Sequence, residues 1–140
     1  MIPANALDGL TRPPCAGLLG WELLDARPNE GWIRIGFEGR REFLNPAGCI
    51  QGGFLAAMLD DTMGPAAFIM GQGHIFTPTI DMHVTFLAPA KLGRLTGEGR
   101  VTQMGKTICF LEASLSDAAG VLVARATASA RVVAAEKALA

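Results

Sequence analysis

A nearly continuous run of apolar residues follows Gly52, with the sequence GGFLAAMLDDTMGPAAFIM at residues 52–70. Its length and composition predict one long helix that is buried on most of its sides. The run also contains two neighbouring carboxylates, Asp60 and Asp61. Because an ionised carboxylate in apolar surroundings is unfavourable unless it is paired or hydrogen-bonded, we expect at least one of them to be buried and functional. We expect Asp61 to be the one that lies at the rim of the sheet, where it contacts water or is bonded at a subunit interface.

Glycine and proline predict how this helix begins and where it is disturbed. Gly52 and Gly53 open it, and glycines there let a ligand approach the free backbone N–H groups of a helix N-terminus. Such N–H groups are suited to polarising a carbonyl, although a purely structural turn explains the glycine pair equally well. Pro65 cannot donate a hydrogen bond to the carbonyl of Asp61, so we expect the first helical segment to kink or end there.

The residues on both sides of this run alternate between apolar and polar, a period of two that predicts β-strands. Two strands are predicted before the helix and four after it, at residues 17–25, 31–38, 79–87, 94–103, 107–117 and 121–133. The last of these presents a row of alanines on one face, which fits close approach of the helix. This order of elements predicts an α+β domain in which an antiparallel sheet wraps around a single helix.

Composition limits the kinds of partner that the chain is expected to have. Its 140 residues suit one domain, residues 1–140. Half of the residues are hydrophobic and 18% are charged, so we expect another subunit to cover part of the surface. The formal net charge is −1 without a basic run, which argues against a nucleic acid partner. No window of about 18 uninterrupted apolar residues is present, so no membrane-spanning helix is expected.

The cysteines and histidines argue against a disulfide framework and a metal site. Cys15, Cys49 and Cys109 are odd in number and far apart, which predicts reduced thiols in a cytoplasmic protein. The first residues lack the basic and apolar regions of a signal peptide. His74 and His83 do not have metal-ligand spacing, so no bound metal is expected.

The separation of Gly52 and Asp60 predicts a site that two subunits share. Asp60 lies eight positions after Gly52, roughly 12 Å along a helix that rises 1.5 Å per residue. A carbonyl held at Gly52 therefore does not reach the Asp60 of the same helix. If both residues act on one substrate, Asp60 comes from a second, antiparallel copy of the helix, and the site lies at a homodimer interface.

The glycines and the aspartate belong to a longer pattern. Asn45, Gly48, Gly52-Gly53 and Asp60 are followed by TPTIDMHVTFLAPAKLG at residues 77–93 and by MGKT at residues 104–107. With this set of spacings, residues 15–133 resemble the hotdog-fold thioesterases, specifically the acyl-CoA thioesterases of the phenylacetic-acid-degradation (PaaI-like) type.

This resemblance implies a fold, an activity and an assembly. The hotdog fold is an antiparallel sheet of about five to six strands wrapped around one long central helix. The implied reaction is hydrolysis of an aryl-acyl or medium-chain acyl-CoA thioester to the free acid and CoA. No cofactor is implied, because coenzyme A is part of the substrate. The implied assembly is a homodimer that pairs into a tetramer.

The resemblance also implies catalytic roles. Asp60 corresponds to the nucleophile or to the general base that activates water, and both roles need a carboxylate that is ionised at neutral pH. The backbone N–H of Gly52 corresponds to the group that polarises the thioester carbonyl, and Asn45 donates its side-chain amide to the same oxygen. Thr79, expected beside Asp60, corresponds to the water-orienting Ser or Thr, although a strand-favouring residue explains it equally well.

For the acyl group, the resemblance implies a pocket lined by both subunits. The commonest family form before the glycine pair is His, and the Gln51 found here is similar to phenylacetyl-CoA-type members; hydrogen bonding within the loop is the favoured explanation of its side chain. The predicted substrate-binding residues are Gln51, Gly53, Phe54, Met58, Met63 and Phe86.

Coenzyme A carries phosphates, so basic residues are expected near the mouth of the site. Lys106 and Arg131 are the predicted CoA-binding residues, and Arg94 and Arg100 are weaker candidates; a solvated strand edge is the competing interpretation for each. The MGKT segment is not a phosphate-binding P-loop, because Arg100 stands where such a loop has its first glycine.

Two other functions remain as alternatives. A dehydratase or hydratase of acyl thioesters pairs a histidine with an acidic residue, but neither His74 nor His83 falls in the glycine-rich turn or on the central helix. A non-catalytic module that binds acyl-CoA would retain the glycines but would have no need for a carboxylate at Asp60.

Overall fold

A single antiparallel sheet wrapped around one long helix dominates the computed structural model, which describes residues 12–139. The elements are α1 (Pro14–Leu19), β1 (Glu22–Arg27), β2 (Trp32–Gly39), α2 (Gly52–Met70), β3 (Ile75–Phe76), β4 (Thr79–Phe86), β5 (Gly93–Met104), β6 (Ile108–Asp117), β7 (Leu122–Arg131), β8 (Val133–Ala134) and α3 (Ala135–Ala138). The sheet order is β1-β2-β5-β6-β7-β4, and β3 pairs with β8 separately. The predicted α+β architecture is confirmed, and β4 is an edge strand.

Small residues on the inner face of the sheet let α2 pack closely against it. On β7 the alternating alanines Ala124, Ala126, Ala128 and Ala130 are all buried. On β5 the closest approach is at Gly97, where an added Cβ would come within 2.6 Å of Thr62 Oγ1. The position of the helix over the sheet therefore depends on residues without bulky side chains.

Helix α2 continues through Pro65 to Met70, so of the two expected effects of this proline, a kink or an end of the helix, the end is wrong. Pro65 has no N–H for the carbonyl of Asp61. The indole of Trp21 takes over that role, because its Nε1–H donates to the Asp61 carbonyl oxygen at 3.0 Å. The helix remains intact because a side chain from the start of the fold replaces the missing backbone donor.

The first predicted strand, residues 17–25, is wrong in its first half. Residues Pro14–Leu19 form α1, and β1 begins only at Glu22. Pro14 stands at the first helical position and Gly20 caps the end with φ 72°, the pairing of proline and glycine that favours a short helix. The second strand and the four strands after the helix are confirmed to within two residues at each end.

The outer face of the sheet is polar and faces away from α2. A depression of about 500 Å³ lies on it, lined by charged and polar side chains of the central strands and by His83 and Thr85 of β4. Within residues 12–139 no helix has both the length and the hydropathy to cross a bilayer. In the same range no three His, Cys, Asp or Glu side chains are grouped as metal ligands, and the three cysteines are unpaired.

Candidate active site

Asp60 and Thr79 meet where α2 passes the beginning of β4. Thr79 Oγ1 donates a hydrogen bond to Asp60 Oδ1 at 3.0 Å, so the predicted proximity of these two residues is confirmed. Both side chains are exposed in the single chain. The hydrogen-bonded carboxylate of Asp60 is therefore accessible on this side of the helix to a substrate or to a second subunit.

The N-terminus of α2 lies at the opposite end of the same surface. The helix begins at Gly52 without a side-chain cap from Gln51, whose side chain is exposed. The first N–H groups of a helix lack a partner within it, and Gly53 is exposed with nothing within 4 Å of an added Cβ. This helix start is open to an incoming carbonyl oxygen.

Asn45 is held rigidly in the loop that leads to this helix. Its Oδ1 accepts hydrogen bonds from the N–H groups of Ala47 and Cys49, at 2.9 and 3.0 Å. Gly48 closes the turn with φ 80° and donates its N–H to the Asn45 carbonyl at 2.9 Å, which explains the glycine at this place in the motif. Since Oδ1 is engaged by the loop, Nδ2 is the end of the amide available to an acceptor.

Four small or short residues form an exposed stripe along α2, which we call the contact stripe: Gly53, Ala57, Asp60 and Gly64. Gly53, Ala57 and Asp60 are exposed and Gly64 is partly exposed. As at Gly53, nothing lies within 4 Å of an added Cβ at Gly64. The sequence did not reveal Ala57 and Gly64 as part of an exposed surface, because small residues within an apolar run are normally interpreted as buried. Their helical spacing from Asp60 is the signal that finds them.

Asp61 is buried more than Asp60, so the expectation that Asp61 would be the more exposed carboxylate is wrong, although part of its side chain remains accessible. Its Oδ2 is shielded from solvent and has no hydrogen-bond partner in the part of the chain that the structure describes. Burial, and after it the charge of Asp60, raises the pKa of Asp61 to about 6. The more exposed carboxylate of the pair is the one that contacts Thr79.

The structure distributes the predicted acyl-pocket residues over different environments. Phe86 is 54% exposed and lies beside Gly52. Phe54 is partly buried and stacks on Phe43, with ring centroids 4.2 Å apart. Met58 and Met63 are fully buried in the core, so in the single chain they do not join the contact stripe.

The candidate CoA-binding residues Lys106 and Arg131 lie near the Thr79 end of β4. Both are exposed, and Arg131 pairs with Ile108, close to Lys106 in the β5–β6 turn. The N–H of Arg131 donates to the carbonyl of Pro78 at 2.9 Å, which places this residue next to the segment that carries Thr79.

Other charged candidates lie elsewhere. Arg94 forms ion pairs with Glu38 and Glu22 at 3.0 and 3.3 Å, and hydrogen bonding to Glu38 is the main cause that raises its pKa. Arg100 and His83 line the outer depression. His74 lies in the loop that follows α2. Within residues 12–139, neither histidine forms a hydrogen bond with Asp60.

The chain is similar in sequence and in structure to known thioesterases. Residues 47–124 match the model of the thioesterase superfamily. Human acyl-coenzyme A thioesterase 13 is 31% identical over 105 residues, which cover 74% of this chain and 73% of that protein. A relative from Saccharolobus solfataricus is 32% identical over 90 residues, and the match spans 64% of its length, less than two thirds.

Among solved structures, a phenylacetic acid degradation-related protein from Ralstonia eutropha superposes with a TM-score of 0.84. The two proteins are 32% identical, and the match covers 90% of this chain and 95% of that one. The similarity therefore extends over most of the sheet and the central helix.

Proposed function

Because the chain belongs to the thioesterase superfamily and has its hotdog fold, we propose that it hydrolyses an acyl-CoA thioester to a free acid and CoA. The observation that carries this proposal is the exposed Asp60 carboxylate, hydrogen-bonded to Thr79 at 3.0 Å. An accessible carboxylate fixed by a hydroxyl on a neighbouring strand is suited to attack a carbonyl or to activate a water molecule.

We propose that two copies of the chain complete the site. In one chain, Asp60 contacts Thr79 at one end of β4, and Gly52 lies against Phe86 at the other end. A two-fold axis that passes between Gly52 and Asp60 on α2 and through the middle of β4 brings the partner's Asp60 towards Gly52. The contact stripe supports this arrangement, since small residues allow two helices to approach closely.

In the shared site, the chain that supplies Gly52 binds the carbonyl and the partner chain supplies the carboxylate. The Gly52 N–H and the free Nδ2 of Asn45 donate to the carbonyl oxygen, and they stabilise the negative charge that develops on it. The partner's Asp60 either takes a proton from a water molecule that attacks the carbonyl carbon, or attacks this carbon itself and forms an anhydride that water then hydrolyses. The C–S bond breaks, and the CoA thiolate leaves and takes up the proton that the water gives up.

The CoA portion is expected to follow the basic residues near Thr79. Lys106 and Arg131 are exposed there, and ammonium and guanidinium groups form charge-assisted hydrogen bonds with phosphates. Arg94 is less suited because two glutamates already neutralise it. We keep aryl-acyl and medium-chain acyl groups as the expected substrates.

We also expect the dimers to pair into tetramers and the protein to reside in the cytoplasm. The unpaired state of all three cysteines agrees with a reducing compartment. The mass of the assembly in solution and the location of a fluorescent fusion test these two expectations.

The proposed activity is tested by measuring thiol release from aryl and straight-chain acyl-CoAs with wild type and Asp60→Asn. Loss of an essential carboxylate is expected to lower turnover at least about a hundredfold. Asp81→Asn is the matched control, because Asp81 is an exposed aspartate of β4 that pairs with Ser129 on the outer side of the sheet. Its turnover is expected to equal that of wild type. Full activity of Asp60→Asn would refute the assigned role, and absence of turnover with retained acyl-CoA binding would favour a non-catalytic module.

A further inference from the structure

Two side chains from opposite edges of the sheet hold the central helix at neighbouring residues. Thr79, at the start of edge strand β4, donates a hydrogen bond to the Asp60 carboxylate at 3.0 Å. Trp21, which directly precedes edge strand β1, donates through Nε1–H to the backbone carbonyl of Asp61, also at 3.0 Å. The carboxylate of the candidate site is therefore one residue away from a backbone group that a distant segment fixes.

The carbonyl of Asp61 depends on this donor because of Pro65. In a regular helix its oxygen would accept from the N–H four positions later, and a proline has no N–H. A carbonyl without a partner leaves the helix free to bend at the proline. Such a bend would begin directly after Asp60 and would shift its carboxylate relative to Thr79, which belongs to the sheet.

Trp21 is itself held at its backbone and at its ring. Its N–H donates to the carbonyl of Ala16 at 2.9 Å, which ties it to α1. Arg40, which follows β2, donates through Nη2 to the carbonyl of Gly17 at 3.2 Å and ties α1 to the sheet. The indole ring packs against the hydrophobic core. A donor that is fixed in this way can set the position of the helix that it bonds.

We propose that Trp21 is a positioning residue for Asp60. Its indole replaces the helix hydrogen bond that Pro65 removes, and it thereby keeps the Asp60 carboxylate at the place where it acts on the thioester. The inference rests on the proposed thioesterase function and on Asp60 as its carboxylate. A reacting group that is misplaced by about 1 Å can lower the rate by about a hundredfold, so a small bend of α2 is sufficient to affect turnover.

The test measures kcat and KM with the acyl-CoA that wild type hydrolyses fastest, for Trp21→Phe, Pro65→Ala and the double variant. Trp21→Phe is expected to lower kcat about tenfold and to leave KM unchanged, because only the transition state requires the correct position of the carboxylate. Pro65→Ala is expected to retain the wild-type kcat, since the indole bond remains. In the double variant, the N–H of residue 65 donates to the Asp61 carbonyl, so kcat is expected to return to the value of Pro65→Ala.

Trp32→Phe is the matched control, because Trp32 is the only other tryptophan of the chain. It is 7% exposed and pairs with Arg100 on the outer face of the sheet, away from α2. The control therefore removes a buried indole that does not hold the helix, and its kcat is expected to equal that of wild type. Urea unfolding under the assay conditions shows that each variant is folded.

The outcomes separate this inference from the proposed function. Turnover by wild type with an unchanged kcat in Trp21→Phe overturns the role of Trp21 and leaves the thioesterase intact. A lower kcat that Pro65→Ala does not restore overturns it as well, because the loss then comes from packing and not from the missing donor. Absence of hydrolysis of every acyl-CoA by wild type overturns the proposed function together with the inference.

Discussion

Asp60 and Asp61 are adjacent in the sequence, but their side chains point about 100° apart around the helix. Asp60 is exposed and accepts the hydrogen bond from Thr79, whereas Asp61 Oδ2 is shielded and has no hydrogen-bond partner in the described residues. The carboxylate that a substrate can reach is therefore Asp60. The shielded carboxylate affects the stability of the fold instead.

The raised pKa of Asp61 predicts in which direction the free energy of unfolding changes with pH. Its pKa is about 6 in the folded chain, against an ordinary value of 3.8, so the folded state binds the proton more tightly. Proton binding by Asp61 therefore stabilises the folded state. This stabilisation is complete below about pH 4 and is lost as the pH rises through about 6. Asp61→Asn resembles the protonated form. At pH 8 it is expected to raise the free energy of unfolding by about 1 kcal/mol, a value reduced because part of the carboxyl is solvated.

Urea unfolding of wild type and Asp61→Asn at pH 8 and pH 4, at one protein concentration, measures this difference. The gap is expected to close at pH 4. Asp81→Asn, which changes an exposed aspartate, is expected to show no such pH-dependent gap. If Asp61→Asn were the less stable protein at pH 8, the ionised carboxylate would have a partner in the assembled protein.

The burial of Asp61 could not be predicted from the sequence, because it depends on a distant segment. The apolar run predicted that at least one of the two carboxylates would be buried, but we expected Asp61 to be the exposed one, and the structure shows Asp60 in that position. Trp21, which precedes β1, packs on this part of the helix and bonds to the Asp61 carbonyl. These two residues are 40 positions apart, and a contact over that distance does not affect the hydrophobic periodicity of either segment.

At the scale of elements, α2 depends on α1 and on the residues that connect it to β1. The Trp21 indole supplies the donor that Pro65 cannot give. The short N-terminal helix and its glycine cap place that indole, so an element that was predicted as a strand supports the continuity of the central helix.

Trp21→Phe is expected to lower the free energy of unfolding by about 1 kcal/mol, the net value of one hydrogen bond. In the Pro65→Ala background the same change is expected to have a smaller effect, since residue 65 then donates to the Asp61 carbonyl itself. Urea unfolding of the wild type, both single variants and the double variant gives the coupling between the two positions. The change in buried ring area cancels in this cycle. Strictly additive effects would show that the indole is not the substitute donor.

Periodicity predicted β5, β6 and β7 well because each of these strands has one face on the core and one face outside. The alternation of β7 matches its burial. The error at residues 17–25 arose because a short helix has too few residues for a period to be distinguished. In this segment, Pro14 at the start and Gly20 at the end indicate a short helix, because their backbone preferences suit helix ends.

At the scale of the whole molecule, the single chain leaves an edge strand and a helix surface uncovered. Ile80 and Phe86 of β4 are 56% and 54% exposed, and the contact stripe runs beside them. The distance between Gly52 and Asp60 predicted a second copy if both residues act on one substrate, and the uncovered surface is where such a copy is proposed to bind. Its geometry could not be derived from the pattern, because it depends on which small residues of α2 face outwards.

A shared site makes a prediction about mixed subunits. Asp60→Asn and Asn45→Ala are each expected to be inactive as homodimers, because every site then lacks either its carboxylate or its amide. In a mixed dimer, one site combines the intact Asn45 of the first chain with the intact Asp60 of the second, and the other site carries both defects. Random pairing of equal amounts makes half of the dimers mixed, so about a quarter of wild-type activity is expected.

Co-refolding the two variants and measuring thiol release tests this directly, with each variant refolded alone as the control for residual activity. Mixing Asp60→Asn with Thr79→Ala is the matched control, since both residues belong to the same half of the site. Every site in that mixed dimer retains one of the two defects, so no recovery is expected. If the first mixture also failed to recover activity although mixed dimers had formed, Asn45 and Asp60 would have to act from the same chain. Gly52 and Asp60 are roughly 12 Å apart along one helix, so the loop that carries Asn45 would then have to move towards the Asp60 of its own chain.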